Sequence, residues 1–278
     1  MYFRPRTLHD AVHHLAAYGG QILSGGTDFF PALGERTVSS PVVDVSGIAE
    51  LRGISIESDY VRIGGLTTWS DVLRTPLPRC LDALKGAARE VGSVQIQNRG
   101  TVAGNLCNAS PAADGVPPLL ALDAEVELVS RTGARRLRLE DFIIGNRKTA
   151  RRPDEMLANV IIPRGLDDAG SAFLKLGSRR YLVISIVMVG AVVKVDGAGR
   201  VAQARIAVGS CSVVARRLLT LEQSLVGAST AAGFNDFVTP EHLEPLSPID
   251  DVRATAVYRR DAALTLVKRA LEACVEGH

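Results

Sequence analysis

Between Gly92 and Pro118 the chain runs through roughly 25 residues rich in Gly, Asn, Pro, Ser and Thr, with no sustained apolar period. A compact domain seldom leaves so long a connection uncommitted, because every buried backbone donor and acceptor needs a partner. The punctuation inside it predicts an ordered, functional loop that the rest of the fold is built to hold. Within it, Asn98-Arg99-Gly100-Thr101-Val102-Ala103-Gly104-Asn105-Leu106 is followed by Ala109-Ser110-Pro111-Ala112-Ala113-Asp114 and by Pro117-Pro118. These small residues, hydroxyls and carboxamides offer many neutral donors, as a diphosphate and a polyol chain require. Asp114 can accept from a sugar hydroxyl. A loop whose Asn and Ser side chains only satisfy their own backbone has the same composition, so both readings stand at this point.

A second glycine loop lies some 75 residues upstream, at Ser24-Gly25-Gly26-Thr27-Asp28, directly after the short apolar run Gln21-Ile22-Leu23. Glycines let a backbone approach a ligand closely, and successive amides in such a turn form an anion-binding concavity. Thr27 adds a hydroxyl. The loop matches neither the Gly-x-Gly-x-x-Gly fingerprint nor the Walker loop. A Gly-Gly pair also occurs as a plain turn.

Around these loops the pattern is mixed. Thr7 and Asp10 predict a capped helix over residues 8–18 that ends at Gly19-Gly20. Gln21 to Leu23 reads as a strand, Phe29 to Leu33 as a helix start with Pro31, and Val42, Val43 and Val45 as a buried strand. Residues 51–64 read as two strands around Ser58-Asp59, Thr68 and Asp71 as a helix cap, and Leu81 to Val91 as a helix. Glu125 to Ser130, Arg135 to Leu139 and Leu157 to Ile162 alternate as antiparallel strands do. A break at Gly165 to Gly170 leads to three further strands, at Ala172 to Leu176, Val187 to Val195 and Val201 to Val208. Ser212 then predicts a capped helix to about Leu225, residues 228–250 leave room for one more, and Asp251 to Val275 forms a long amphipathic helix with Val257, Leu264, Val267, Leu271 and Cys274 on one stripe.

Other chemistries find little support. Thirty-two Lys and Arg against thirty Asp and Glu are spread along the chain, without the basic stripe of a nucleic-acid binder. The longest apolar stretch, Leu182 to Val193, falls short of the ~20 residues of a membrane span. The polar start at Met1-Tyr2-Phe3-Arg4 lacks the core of a secretion signal, so the expected location is cytoplasmic. Cys80, Cys107, Cys211 and Cys274 are scattered and fit reduced, structural thiols; any iron–sulfur centre would come from another chain. His9 and His13 lack a third metal ligand, and Gly209-Ser210-Cys211 is not a nucleophile elbow, so no metal site and no catalytic residue are assigned. The pairs Arg179-Arg180 and Arg259-Arg260 read as solvated or interface charges, and Trp69 as core.

In their order and spacing the two glycine loops resemble the FAD-binding motifs of the medium subunit in the xanthine dehydrogenase and carbon monoxide dehydrogenase family of molybdenum hydroxylases. Ser24 to Phe29 is similar to the family's Ala-Gly-Gly-Thr-Asp/Asn-Leu. Gln97 to Asn105, Ala109 to Asp114 and Pro118 to Leu122 are similar to Arg-Asn-x-Gly-Thr-Ile-Gly-Gly-Asn, Ala-x-Pro-x-x-Asp and Pro-x-Leu-x-Ala-Leu. The resemblance continues through Leu157 to Pro163, Ala172 to Lys175, Ala207 to Gly209, Leu225 to Gly227 and Tyr258-Arg259-Arg260, and so covers nearly the whole chain. Gln97 stands where Arg is common, Ala103 replaces a glycine, and Arg179 to Ser185 lacks an acidic residue that many relatives carry.

The resemblance implies an α+β fold. A two-part FAD-binding domain over 1–170, with a small α/β subdomain to about residue 50 and a mainly antiparallel α+β subdomain over 51–170, would precede a small C-terminal α+β domain over 171–278 with a three-stranded sheet and helices. It implies one FAD held by Ser24, Gly25, Gly26, Thr27, Asp28, Thr101, Val102, Ala103, Gly104, Asn105 and Asp114, with Leu157, Lys175 and Ile184 beside the flavin. Asp114 would hold adenosine or ribityl hydroxyls. It further implies a large molybdenum–pterin partner, a small partner with two [2Fe-2S] clusters, and room for a dimer of heterotrimers. Electrons would pass through this chain to an external acceptor. The alternative is a stand-alone FAD oxidase or dehydrogenase with its own substrate pocket.

Overall fold

A hydroxyl begins the first helix: Thr7 Oγ1 accepts from the Asp10 amide at 3.1 Å, and the helix Leu8–Tyr18 ends at Gly19, whose φ of 63° suits a residue without Cβ. The computed structural model describes residues 1–180 and 182–276. These divide into two compact units, the first made of residues 1–75, 93–109 and 124–163, the second of 76–92, 110–123 and the chain from Arg164 onward.

In the first unit, Val42–Asp44 is the middle strand of a three-stranded parallel sheet, flanked by Tyr2–Phe3 and Gln21–Leu23. Being central it is buried on both faces, which explains its uninterrupted apolar start. Val45, expected in that strand, instead opens a 3-10 turn capped by the Asp44 side chain. Five antiparallel strands follow in the order Ile54–Ile56, Tyr60–Gly64, Met156–Pro163, Glu125–Ser130 and Gly133–Arg138. Ala11, Val12 and Leu15 of the first helix share one core with Val43, Val45 and Ile48 and with Met156 and Ala158 of the central strand.

The second unit has a four-stranded antiparallel sheet: Gly170–Leu176, Val187–Val195, Val201–Gly209 and Arg216–Arg217. Helices Asp82–Glu90, Val116–Ala121, Leu219–Leu225 and Ala256–Val275 complete it. Val189, Val193, Ile206 and Val208 pack with Leu221, Leu225, Val267, Leu271 and Cys274 in one core. The long helix sits so close to the sheet that a Cβ on Gly170 would lie 1.8 Å from the carbonyl oxygen of Cys274.

Several expectations need correction. The C-terminal sheet has a fourth strand, because Arg216–Arg217 pairs with Val208 and Ala207 instead of extending a helix. Ser212 caps nothing: its hydroxyl donates to the Cys211 carbonyl and accepts from the Ser247 amide, so the helix begins only at Leu219. Residues 228–250 hold two 3-10 turns, Thr230–Ala232 and Pro240–Leu243. The last helix starts at Ala256, where Thr255 caps it, since Asp251 is committed to a turn closed on Ala254. Val257 is exposed, not on the buried stripe. Arg259 is 1% exposed and anything but solvated: it bonds Asp251 Oδ1 at 2.7 Å and the carbonyls of Ile186 and Ser210 at 2.6 and 3.1 Å.

The stretch from Gly92 to Pro118 is also more regular than a loop. It contains the short helices Val94–Gln97 and Val102–Asn108 and the start of Val116–Ala121. Ser93 and Thr101 cap the first two, and caps make one- or two-turn helices viable without the apolar period by which longer ones are recognised. No helix among the described residues is long and apolar enough to cross a membrane.

Candidate cofactor site

The first unit brings the two glycine loops together. Leu23 ends its strand, and the chain turns through Gly25 and Gly26, the latter at φ 79°. A Cβ on Gly25 would lie 1.9 Å from the Arg99 carbonyl oxygen, so the loops touch backbone to backbone. Ser24 Oγ and Thr101 Oγ1 share a hydrogen bond at 3.2 Å. Thr27 is also at the seam, its Oγ1 3.3 Å from where a Gly100 Cβ would stand.

The second loop is pinned on its other side. The Trp69 amide donates to Gly100 O at 3.2 Å, the Val102 amide to Thr67 O at 3.0 Å, and Ser70 Oγ to Asn98 Oδ1 at 2.6 Å. The Thr68–Asp71 capping box fixes the helix that supplies these partners, and Trp69 is buried as expected. Thr101 Oγ1 accepts from the Gly104 amide at 3.0 Å and starts the helix Val102–Asn108. Ala103 lies inside that helix with negative φ, which is why alanine can replace glycine there. At the far end Ala109 closes the helix in the left-handed region, its carbonyl accepting from the Arg147 amide at 2.9 Å, and the Arg147 guanidinium bonds Asn108 Oδ1. Arg147 went unrecognised in the sequence; its only signal was the turn Gly145-Asn146-Arg147-Lys148.

The seam has unspent hydrogen-bonding capacity. Among the described residues no backbone carbonyl accepts from the amides of Gly25, Gly26, Thr27 or Asp28. Among the same residues Asn105 Oδ1 is buried without a partner. A buried acceptor left open costs roughly 1–3 kcal/mol, a deficit that a bound donor removes. Close backbone approach, amides without carbonyl partners and neutral polar side chains are together able to receive a phosphate-bearing ligand with hydroxyl donors. Asp28 is exposed at the head of the helix Phe29–Leu33, and its side chain makes no cap. Leu157 is buried in the central strand, where the ladder with Glu125–Ser130 shifts register, and its carbonyl lies 2.6 Å from where a Gly65 Cβ would stand.

In the second unit Asp114 and Lys175 form a buried ion pair, Nζ to Oδ2 at 2.7 Å, and Ser185 Oγ donates to Oδ1 at 2.7 Å. Lys175 also reaches the Glu90 carbonyl at 3.4 Å. Burial pushes the Asp114 carboxyl above its ordinary range, while the Lys175 charge and the hydrogen bonds from Lys175 and Ser185 pull it back. Asp114 and Lys175 were singled out separately in the sequence, yet nothing there joined them. Ser185 was missed, a lone serine in an apolar run. Ile184 is 62% exposed.

The four cysteines are free thiols. Burial pushes Cys80 and Cys274 up to about 12 and Cys107 and Cys211 up to about 11, which leaves them protonated and poor nucleophiles.

A concavity of this kind suits a phosphate-bearing ligand, and comparison with known proteins gives the family. Residues 1–165 match the family model of the FAD binding domain in molybdopterin dehydrogenase, and residues 172–274 that of the CO dehydrogenase flavoprotein C-terminal domain. The nicotinate dehydrogenase FAD-subunit of Eubacterium barkeri is 33% identical over 96% of this chain and 93% of its own. The carbon monoxide dehydrogenase medium chain of Hydrogenophaga pseudoflava is 27% identical over 98% and 96%. A solved carbon monoxide dehydrogenase from Hydrogenophaga pseudoflava, in a form lacking the Mo-pyranopterin moiety of its molybdenum cofactor, superposes with a TM-score of 0.89 at 28% identity, covering 98% of this chain and 96% of that one. This chain belongs to the FAD-binding medium-subunit family of the molybdopterin dehydrogenases.

Proposed function

We propose that this chain is the FAD-binding electron-transfer subunit of a heterotrimeric molybdenum hydroxylase. It takes electrons from [2Fe-2S] clusters on a small partner and passes them to an external acceptor, while a large molybdenum–pterin subunit oxidises the organic substrate. The supporting observation is the backbone contact of Gly25 with Arg99, which unites two glycine loops beside four amides without carbonyl partners and an open Asn105 Oδ1. When bound, the flavin supplies the redox chemistry.

The residues of this chain bind and orient. Amides of Gly25, Gly26, Thr27 and Asp28, with the Ser24 and Thr27 hydroxyls, hold the diphosphate; Thr101, Val102, Ala103, Gly104 and Asn105 close on it. Asp114 accepts from ribityl or adenosine hydroxyls. Leu157, Lys175 and Ile184 lie beside the flavin ring. Residues 1–170 act as the FAD-binding domain and 171–278 as the C-terminal domain of the subunit, working in the cytoplasm as part of a dimer of heterotrimers.

The test is purification of the full chain with its neighbours. One FAD released per chain on denaturation, with large and small partners co-purifying and accounting for molybdenum and iron, is the expected result. A colourless chain without FAD, or one that oxidises an organic substrate alone without molybdenum or iron, overturns it.

A further inference from the structure

Ser185 interrupts an apolar run, is fully buried, and spends its hydroxyl on one oxygen of Asp114. A hydroxyl in such surroundings costs free energy unless a strong acceptor compensates it. Its backbone is held with unusual care. Arg253 Nη1 donates to Ser185 O at 3.3 Å and Arg259 Nη1 to Ile186 O at 2.6 Å, both arginines being tied to Asp251, and the Ile186 amide donates to Leu176 O at 2.7 Å. The result is a serine whose rotation and position are fixed relative to the strand Gly170–Leu176 that carries Lys175.

We propose that Ser185 is a positioning residue for Asp114: with Lys175 it holds the carboxylate ionised and fixed, so that its remaining lone pairs receive hydroxyls of the bound FAD. This rests on the reading of Asp114 as a cofactor contact. An ionised carboxylate has roughly four acceptor positions, of which Lys175 and Ser185 fill two. Protonation turns one of those acceptor positions into a donor, which no longer fits a hydroxyl that donates to it. The charged groups that face Asp114 are Lys175, which favours ionisation, and Glu90 at the end of the helix Asp82–Glu90, which opposes it; Arg253 reaches the Ser185 carbonyl. Burial already raises the carboxyl, so loss of the Ser185 hydrogen bond moves protonation to still higher pH.

The experiment measures FAD affinity of the full chain between about pH 5 and pH 8 for wild type, Ser185→Ala, Ser185→Thr and Asp114→Asn. Ser185→Ala should bind FAD about tenfold more weakly at the acid end, the size expected for one hydrogen bond to a charged group, and recover as the pH rises. Ser185→Thr, which keeps the hydroxyl, should follow wild type. Should the alanine variant fail to fold, Ser185→Cys keeps the size with a weaker donor and should show a smaller displacement of the acid limb. A Ser185→Ala profile that superimposes on wild type, or that drops equally at every pH, overturns the role of Ser185. In that case Asp114→Asn separates the two ideas: weakened FAD binding leaves Asp114 as a cofactor contact, and wild-type binding removes that reading as well.

Discussion

The glycine-loop seam of the first unit and the Asp114 cluster of the second solve different problems. At the seam the chain uses backbone: Gly25 against Arg99, hydroxyls between Ser24 and Thr101, and a capped helix start at Thr101. No formal charge is involved in these contacts. In the second unit a carboxylate and an ammonium are buried together, and a serine completes the set. Steric fit tolerates no added atom but is indifferent to pH, whereas a buried ion pair tolerates modest changes of shape but depends on both partners keeping their charge.

The largest expected effect breaks the seam. Gly25→Val places a side chain where Arg99 O already sits, so it should cost about 3 kcal/mol or more and abolish FAD retention, as read by denaturant unfolding and by flavin released per chain. A variant with wild-type flavin content would show that the loops do not need to touch.

Lys175→Met attacks the other region and should cost about 3–5 kcal/mol at neutral pH by leaving Asp114 charged and without its cationic partner. The sign with pH distinguishes it from a packing defect. Asp114 has a raised folded-state value, so between its unfolded and folded values the native state binds more protons than the unfolded state, and stability falls as pH rises through that window. Without Lys175 the window extends further upward, so the variant should recover stability on acidification. Melting curves at successive pH values check this, and a deficit that is constant with pH would mean that charge is not the cause.

Smaller effects sharpen the picture of the seam. Thr101→Val removes a helix cap and the partner of Ser24 while keeping the branched shape, and should cost about 1 kcal/mol with weaker FAD binding. Ser24→Ala removes only one exchangeable hydroxyl contact and should cost about 0.5 kcal/mol. Comparing the two by denaturant titration tells how much of Thr101's contribution is the cap. Equal losses would assign it all to the contact between loops.

How much of each region was legible differs for the same reason. The turn at Gly25-Gly26 could be read from local chemistry, because turns and close approach depend on residue type and neighbours in sequence. The short helices at Val94–Gln97 and Val102–Asn108 were hidden, since seven residues or fewer give no apolar period to recognise. Arg259 was misread because an Arg-Arg pair at a helix start looks solvated until Asp251 and two carbonyls are found around the first arginine. Ser212 was misread as a cap because Ser247, 35 positions away, supplies its competing partner.

By itself the sequence determined most of the longer strands and helices, the two glycine loops and the family they mark, which rest on local steric and hydrogen-bonding rules repeated along the chain. Only the tertiary structure decided that Gly25 rests on Arg99, that Arg259 is buried, and that Asp114, Lys175 and Ser185 meet. Those pairings join residues tens of positions apart, and their energetics come from burial, which no single stretch of sequence carries.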